Sequence, residues 1–297
     1  MGTLGYGQQR AITSTYPYNM LVLNPAYAGS LNVLSVIGVH RKQWINHPGA
    51  PETTMLSAHN SFASNRIGVG LFAINDKTGV VTDNSLYASY AYKIKTPIGI
   101  LAMGLQGGFN QRVMDYTKLQ LLDEGDPLLS QAPSRFSPNF GSGVYFANPN
   151  IYIGFAVPYI LENKLISIGE GGSISTTDAR ESRTYYFMSG VVLPLTSSIK
   201  LNPSILVRGQ EQNRLGYDIT ANLIFDDIAY AGVTVRNSGE IVFLGQLILN
   251  ENIRVGYAYD ASVSSLAQSN AGSHEILLNY RIKLHNFKKD PLCPVYF

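Results

Sequence analysis

Apolar and polar residues alternate along most of this chain with a period of two. The alternation is clearest over residues 214–225, where Leu, Tyr, Ile, Ala, Leu and Phe share one face, and Arg, Gly, Asp, Thr and Asn occupy most of the other. Residues 252–260 and 273–283 repeat the pattern. A period of two is typical of β-strands that have one face in an apolar environment. The pattern therefore predicts an all-β protein.

Strand-like segments follow one another without a convincing helix. There are about fourteen, most of them near the nine to eleven residues that a tilted membrane strand needs. The even-numbered connections are short and several contain turn residues, whereas most odd-numbered ones, such as 76–83, 111–136 and 157–182, are longer. Outer-membrane barrels combine short periplasmic turns with longer outer loops. The predicted strands lie at 31–40, 52–60, 66–75, 84–94, 98–110, 137–147, 150–156, 183–193, 198–208, 214–224, 227–236, 239–249, 252–260 and 273–283.

Composition favours a membrane barrel over a soluble sandwich. Charged residues make up 14% of the chain, little more than half of the roughly 25% that is typical of soluble domains. No run of about 18 apolar residues exists, which excludes a helical membrane protein. We therefore predict a transmembrane antiparallel up-and-down β-barrel of about fourteen strands, with long outer loops, in the bacterial outer membrane. The barrel is expected to span residues 31–284.

Both ends of the chain lie outside this predicted barrel. Residues 285–297 form a C-terminal tail, and residues 1–30 form an N-terminal extended segment. The first sixteen residues lack a cationic region followed by an apolar stretch. Either the chain is cytoplasmic or its given start lies inside a longer precursor. We favour the second explanation, because LGYGQQ at 4–9 looks like the end of a signal peptide followed by a mature Gln, with a periplasmic segment after it.

Charged residues recur on the polar face of the C-terminal strands, which would line the lumen of a barrel. The main interpretation is solvation of the lumen together with ion pairs that stiffen the wall. The alternative is an anion-selective lining, which long loops plugging the lumen would block. The predicted lumen-facing charges are Arg208, Arg214, Asp218, Arg236, Arg254, Asp260, Glu275 and Arg281.

No pattern in the sequence predicts catalysis. The five histidines are not spaced as a zinc pair, no G-x-S-x-G occurs, and the Gly-rich segments lack the Lys of a phosphate-binding loop. The single cysteine, Cys293, cannot form an internal disulfide. A net charge of +2 without a basic stripe argues against nucleic acid as a partner. We expect no enzymatic activity, no cofactor and no metal.

Aromatic residues recur at the ends of the predicted strands, among them Tyr87, Tyr145 and Tyr186. An aromatic girdle at the membrane surface accounts for them without a ligand. His59 and His274 also lie near strand ends, and we interpret both as rim residues rather than catalysts.

Three blocks near the N-terminus carry a more specific signal. The first is YPYNMLVLNPAYAGS at 16–30, the second combines HRKQW at 40–44 with GAP at 49–51, and the third is IGVGLFAINDKTG at 67–79. In this order they resemble the PorP/SprF family, outer-membrane proteins of the type IX secretion and gliding system of Bacteroidetes. The resemblance is strongest over the first hundred residues. The motif residues that match and could mediate interactions are Asn24, Pro25, Tyr27, Gly29, Arg41, Gln43, Trp44 and Pro51.

The resemblance implies a function in protein secretion. The barrel would support the secretion or surface anchoring of large adhesins, with other periplasmic and outer-membrane machinery proteins, the C-terminal signal domain of the adhesin and the lipid bilayer as partners. A porin or small-solute channel is the alternative. An outer-membrane hydrolase is a third option, and would need a His near a Ser or Asp at one end of the barrel.

The motif residues also have a physical reading of their own. Pro25 restricts Asn24 to extended or turn conformations, and Gly29 permits an unusual backbone dihedral before the first strand. We expect the segment either to dock into the base of the barrel or to present a periplasmic contact. Trp44 would be an interface anchor or part of a loop packed over the barrel mouth.

Overall fold

A computed structural model describes residues 12–115, 117, 133–168, 174–210, 215–262 and 271–284. Its strands, numbered in chain order, are β1 Leu34–Lys42, β2 Glu52–Phe62, β3 Ile67–Thr78, β4 Val81–Thr96, β5 Gly99–Met114, β6 Ser134–Ala147, β7 Ile151–Val157, β8 Lys164–Ile168, β9 Ile174–Arg180, β10 Thr184–Val191, β11 Leu193–Pro194, β12 Ile199–Gln210, β13 Gly216–Phe225, β14 Ala229–Arg236, β15 Glu240–Ile248, β16 Ile253–Ser262 and β17 Ser273–Ile282.

Fourteen of these strands form one closed antiparallel barrel, as the sequence predicts. Strands β1 to β7 pair in chain order, as do β12 to β17. β7 pairs with β10 and β10 with β12, and β1 pairs with β17 to close the cylinder. The two-residue β11 continues β10 along β12, and β8 pairs only with β9 as a separate hairpin. Within the described part of the chain, no helix has the length and hydropathy needed to cross a membrane.

The residues that alternate in sequence point alternately to the two faces of the barrel wall. The apolar ones lie exposed on the outer face, and the residues between them are buried on the lumen face. On β13, Asp218 and Thr220 are fully buried, whereas Ile219 between them is 53% exposed. The same pattern repeats around the barrel, with large exposed side chains such as Leu71 on β3 and Phe243 on β15. An apolar outer surface of this kind suits contact with lipid.

The two ends of the barrel differ. Short connections at 63–66, 97–98, 148–150, 195–198, 226–228 and 249–252 lie at one end, which we call the turn mouth. The other end, the loop mouth, has the turns 43–51, 79–80 and 237–239. It also has the strand ends Met114, Ser134, Val157, Thr184, Gln210, Gly216, Ser262 and Ser273. The expected long connection at 76–83 is a two-residue turn, because β3 and β4 stay paired out to Thr78 and Val81. The hairpin of β8 and β9 lies within the long connection expected at 157–182.

Residues 12–33, which we call the lumen segment, lie inside the barrel. They form three short 3-10 turns, at Tyr16–Tyr18, Met20–Val22 and Pro25–Tyr27. Proline lies at the start of the first and third turns, where its fixed φ and missing N–H carry little cost. The segment therefore has neither the period of a strand nor that of an α-helix.

Candidate functional site: the lumen segment and the wall around it

The lumen segment runs from the loop mouth to the turn mouth. Arg41, near the loop-mouth end of β1, donates a hydrogen bond to the carbonyl oxygen of Ile12. Further along, the Gly29 amide donates to His59, close to the turn-mouth end of β2. β1 then begins at Leu34, at the turn mouth. The chain thus traverses the whole lumen before it enters the wall.

Glu275 on β17 anchors the loop-mouth end of the segment. Its carboxylate accepts hydrogen bonds from the backbone N–H of Ser14 at 2.7 Å and of Thr15 at 2.9 Å. The Thr15 hydroxyl donates to the same carboxylate. Because Glu275 is buried, these donors replace the water that would otherwise solvate its charge. Charge-assisted hydrogen bonds are about twice as strong as neutral ones, so this contact fixes the segment firmly.

Asp260 on β16 extends the anchor. Its Oδ2 lies 2.7 Å from Arg41 Nη2 and 3.3 Å from Arg236 Nη1. The hydroxyl of Ser14 donates to the same oxygen at 2.7 Å, and Arg236 Nη2 donates to that hydroxyl at 3.0 Å. All four side chains are buried. Ser14 therefore bridges wall charges of both signs.

Asp218 joins Arg236 to one further arginine, Arg208, in the same region. Arg236 Nε lies 3.1 Å from one of its carboxylate oxygens, and Arg208 Nη2 lies 2.5 Å from the other. Arg236 also contacts Glu240 at 3.1 Å. The aspartates that the sequence suggested as partners of arginines thus have them here. Glu275 mainly accepts from backbone N–H groups of the lumen segment, with Arg41 Nε 3.9 Å away.

The middle of the lumen is apolar, contrary to the polar interior expected from the alternation. The reason is that the segment supplies its own apolar side chains, including Tyr16, Leu21 and Tyr27, which the wall must accommodate. The wall side of this cluster consists of Phe72, Tyr87, Ala91, Ala102, Tyr145, Ala147, Tyr152, Tyr186, Met188, Val192 and Leu206.

The girdle assignment is therefore wrong for Tyr87, Tyr145 and Tyr186, which are buried in this cluster. The strand-end position of an aromatic residue does not reveal whether its ring faces lipid or lumen. In contrast, His274 lies on the outward register of β17, where its Nδ1 is 2.5 Å from the hydroxyl of Tyr257.

Asn24 organises the third 3-10 turn, within the NPAYAG motif. Its side-chain oxygen accepts a hydrogen bond from the Ala26 amide at 2.9 Å, which caps the turn. Its side-chain nitrogen donates to the Val144 carbonyl at 3.0 Å, which ties the turn to β6. Tyr27 packs edge to face against Tyr145, with ring centroids 5.6 Å apart. Pro25, the first residue of the turn, is buried between these contacts.

Gly29 ends the motif with a backbone that side chains rarely adopt, at φ +64°. Its amide donates to His59 Nδ1 at 3.1 Å, and its carbonyl accepts from Lys93 Nζ. Lys93 also donates to the side-chain oxygen of Asn65. The interpretation of His59 as a rim residue is wrong, because the ring is buried beneath the segment and packs against Tyr27.

Glycines in the wall allow the backbone of the segment to lie directly on the strands. A methyl group added at Gly68 would lie 1.9 Å from the Ala28 carbonyl oxygen, and one at Gly104 would lie 2.2 Å from the Ala26 nitrogen. A methyl at Gly143 would meet the Asn24 side chain at 2.2 Å. Interior strand glycines often mark such close backbone approach. These positions are the signal by which sequence reasoning could have found the docking site.

The second motif block, which includes the lumen-facing Arg41, lies at the opposite end of the barrel from NPAYAG. The Gln43 amide donates to the Pro51 carbonyl at 2.9 Å, which closes the β1–β2 connection. The Trp44 amide donates to the Ser273 hydroxyl at 3.3 Å, at the start of β17. The two blocks therefore do not form one cluster.

The remaining lumen charges lie at the turn mouth or outside the described residues. Arg254 and Arg281 face inward and are half-buried. Arg214 lies outside the described residues. Among the residues that are described, no group of three or more His, Cys, Asp or Glu side chains is placed to hold a metal ion. What the site does physically is to hold a chain segment across the lumen.

The sequence matches, over residues 6–280, the family described as type IX secretion system membrane protein PorP/SprF. Comparison with curated proteins gives no significant match. Among solved structures, the CymD monoaromatic hydrocarbon channel is 12% identical, with 96% of each chain covered and a TM-score of 0.53. Omp33 of Acinetobacter baumannii is 10% identical, with 86% of this chain and 99% of Omp33 covered and a TM-score of 0.48. The family and the fold confirm the predicted resemblance and the outer-membrane location.

Proposed function

The chain belongs to the PorP/SprF family of type IX secretion system membrane proteins. From this premise we propose that it is a barrel whose lumen is blocked to solutes and that it binds proteins. It supports the secretion or surface anchoring of large adhesins, through contacts with other components of the machinery and with the C-terminal signal domain of the adhesin. The lumen segment carries this proposal. Between Thr13 and Leu31, every residue except Tyr18 and Val22 is buried.

A lumen filled in this way is unsuited to free diffusion. A solute could pass only if the segment moved, which would expose the apolar cluster around Tyr27. Glu275 would then lose its backbone donors, and Asp260 would lose the Ser14 hydroxyl. Removing one partner of a buried charge costs several kcal/mol, on the order of 3–5. The state in which the segment fills the lumen is therefore favoured. The function that remains for the barrel is to bind proteins at its two mouths.

Binding rather than catalysis is also part of the proposal. Its support is the placement of the two histidines nearest to strand ends. His59 accepts a hydrogen bond from the lumen segment, and His274 contacts Tyr257 on the outer surface. Each ring thus has one hydrogen-bond partner that holds it in place.

A small-solute channel is the second candidate, because the barrel shares its fold with the CymD monoaromatic hydrocarbon channel. Planar-bilayer recording of the purified protein separates the two functions. We expect no stable conductance steps from the wild type, and steps from a variant that lacks residues 13–30. Steady conductance of the wild type would refute a lumen that is blocked to solutes. In cells, the variant should lose surface adhesin, and a pull-down from native membranes should recover secretion components with the wild type.

A further inference from the structure

Among the described residues, the turn mouth contains two arginines with no carboxylate beside them. Arg254 is the second residue of β16, and Arg281 is the second-last residue of β17. Both lie on the inward register, in line with Asp260 and Glu275 further along the same strands. In the part of the chain that the structure describes, neither arginine forms an ion pair, whereas Arg208 at the loop mouth does.

The two arginines are neighbours. Arg254 pairs with Asn279, and the Arg281 amide donates to the Asn252 carbonyl at 2.7 Å, so the two side chains lie diagonally across adjacent strands. Diagonal neighbours of this kind are about 7–8 Å apart at Cα, within reach of long side chains. Both Nε atoms are buried without a hydrogen-bond partner.

This arrangement is unfavourable when no anion is bound. Like charges that are partly removed from water repel one another and lose solvation. The described acidic residues of this mouth lie on its exposed turns, where Asp227 contacts Lys200 at 2.7 Å and Glu251 contacts Lys283 at 3.5 Å. An anion that enters the turn mouth would complete the arginine pair. Both residues retain exposed surface, since each is only half-buried.

We propose that Arg254 and Arg281 form a binding site for a carboxylate-bearing peptide segment of a periplasmic partner. The short turns of outer-membrane barrels face the periplasm, so such a segment can enter from that side. A guanidinium fork matches a carboxylate in a bidentate way. The barrel wall separates the pair from the bilayer, which favours a peptide over a lipid head group. The inference rests on the proposed function as a protein-binding barrel.

The test uses the full-length protein in detergent and a fluorescently labelled hexaglutamate peptide, with binding measured by anisotropy. We expect the Arg254→Gln/Arg281→Gln variant to bind the peptide more weakly, by about tenfold or more for each guanidinium removed. The control Lys95→Gln/Lys283→Gln removes the same charge from exposed positions and should bind like the wild type. A doubly lysine-substituted variant, Arg254→Lys/Arg281→Lys, should fall between them, because it keeps charge but loses the fork.

Heat-modifiable migration on gels verifies that each variant has a folded barrel. Equal binding by the wild type and the glutamine variant would overturn the site. So would displacement of hexaglutamate by an equal concentration of inorganic phosphate, because the site would then select phosphate. These outcomes are distinct from failure of the proposed function, which shows as wild-type conductance or as normal adhesin secretion without the lumen segment.

Discussion

Glu275→Gln is the sharpest test of how the lumen segment is held. The substitution preserves the size and shape of the side chain but replaces one carboxylate oxygen with an NH2 group. The carboxylate now accepts from the backbone N–H groups of both Ser14 and Thr15. After substitution, at least one of these donors faces another donor.

The expected magnitude follows from these contacts. Hydrogen bonds to charged groups contribute about 1.5–3 kcal/mol each, and a buried donor without an acceptor costs about 1–3 kcal/mol. We expect docking of residues 12–15 to weaken by about 3 kcal/mol, which is about 100-fold in the opening equilibrium. The wall should stay intact, because the backbone pairing of Glu275 with Arg41 on β1 does not involve the side chain.

Hydrogen exchange with mass spectrometry measures the effect. Peptides that cover residues 13–20 should exchange much faster in the variant, whereas peptides from β12–β15 should not change. The control is Glu52→Gln, at a carboxylate that is 45% exposed and 3.7 Å from His40. Exposed ion pairs contribute about 1 kcal/mol or less, so the control should leave exchange unchanged. Wild-type exchange of residues 13–20 in the Glu275 variant would refute the anchor.

Three further substitutions probe other parts of the structure. Gly104→Ala places a methyl group 2.2 Å from a backbone nitrogen of the lumen segment and should lower the free energy of unfolding by about 1–3 kcal/mol. In the control Gly38→Ala, the added methyl group would meet nothing within 4 Å, so this variant should melt like the wild type on heated gels. Equal melting of the Gly104 and Gly38 variants would contradict the close approach at Gly104. Replacing Asn24 and Tyr27 with Ala should reduce barrel yield and surface adhesin, and normal levels of both would count against a role for the motif. Leu71→Arg, at an outward position that is 51% exposed, should cost about 2–4 kcal/mol in lipid vesicles by urea unfolding, whereas an unchanged midpoint would show that this position does not face lipid.

The barrel wall was predictable because one face of every strand contacts lipid and the other does not. A period of two records that difference directly in the sequence, so β13 and β17 were located to within about two residues. The turn at 79–80 was missed because β3 and β4 remain paired beyond the length that a membrane strand needs. The separate β8–β9 hairpin was missed as part of a long connection.

The course of the lumen segment was not predictable from its own residues. Short 3-10 turns leave no period, and Glu275 binds backbone N–H groups, which every non-proline residue has. The available clues lay in the wall, where inward glycines such as Gly104 and Gly143 leave room for another backbone. An inward tyrosine such as Tyr145 requires something to pack against, but alternation alone does not say what.

The pairing of Arg41 with Glu275 has a consequence for biogenesis. These residues face each other across the seam between the first and last strands, and both hold the start of the lumen segment. The Ser14–Glu275 contact spans 261 positions, so it forms only when almost the whole polypeptide has been assembled. Contacts between residues so far apart in sequence form slowly, because the chain must first lose much conformational entropy to bring them together. Closure of the seam therefore completes the anchor of the lumen segment, and the start of the segment can be held in place only after the last strand has paired with the first.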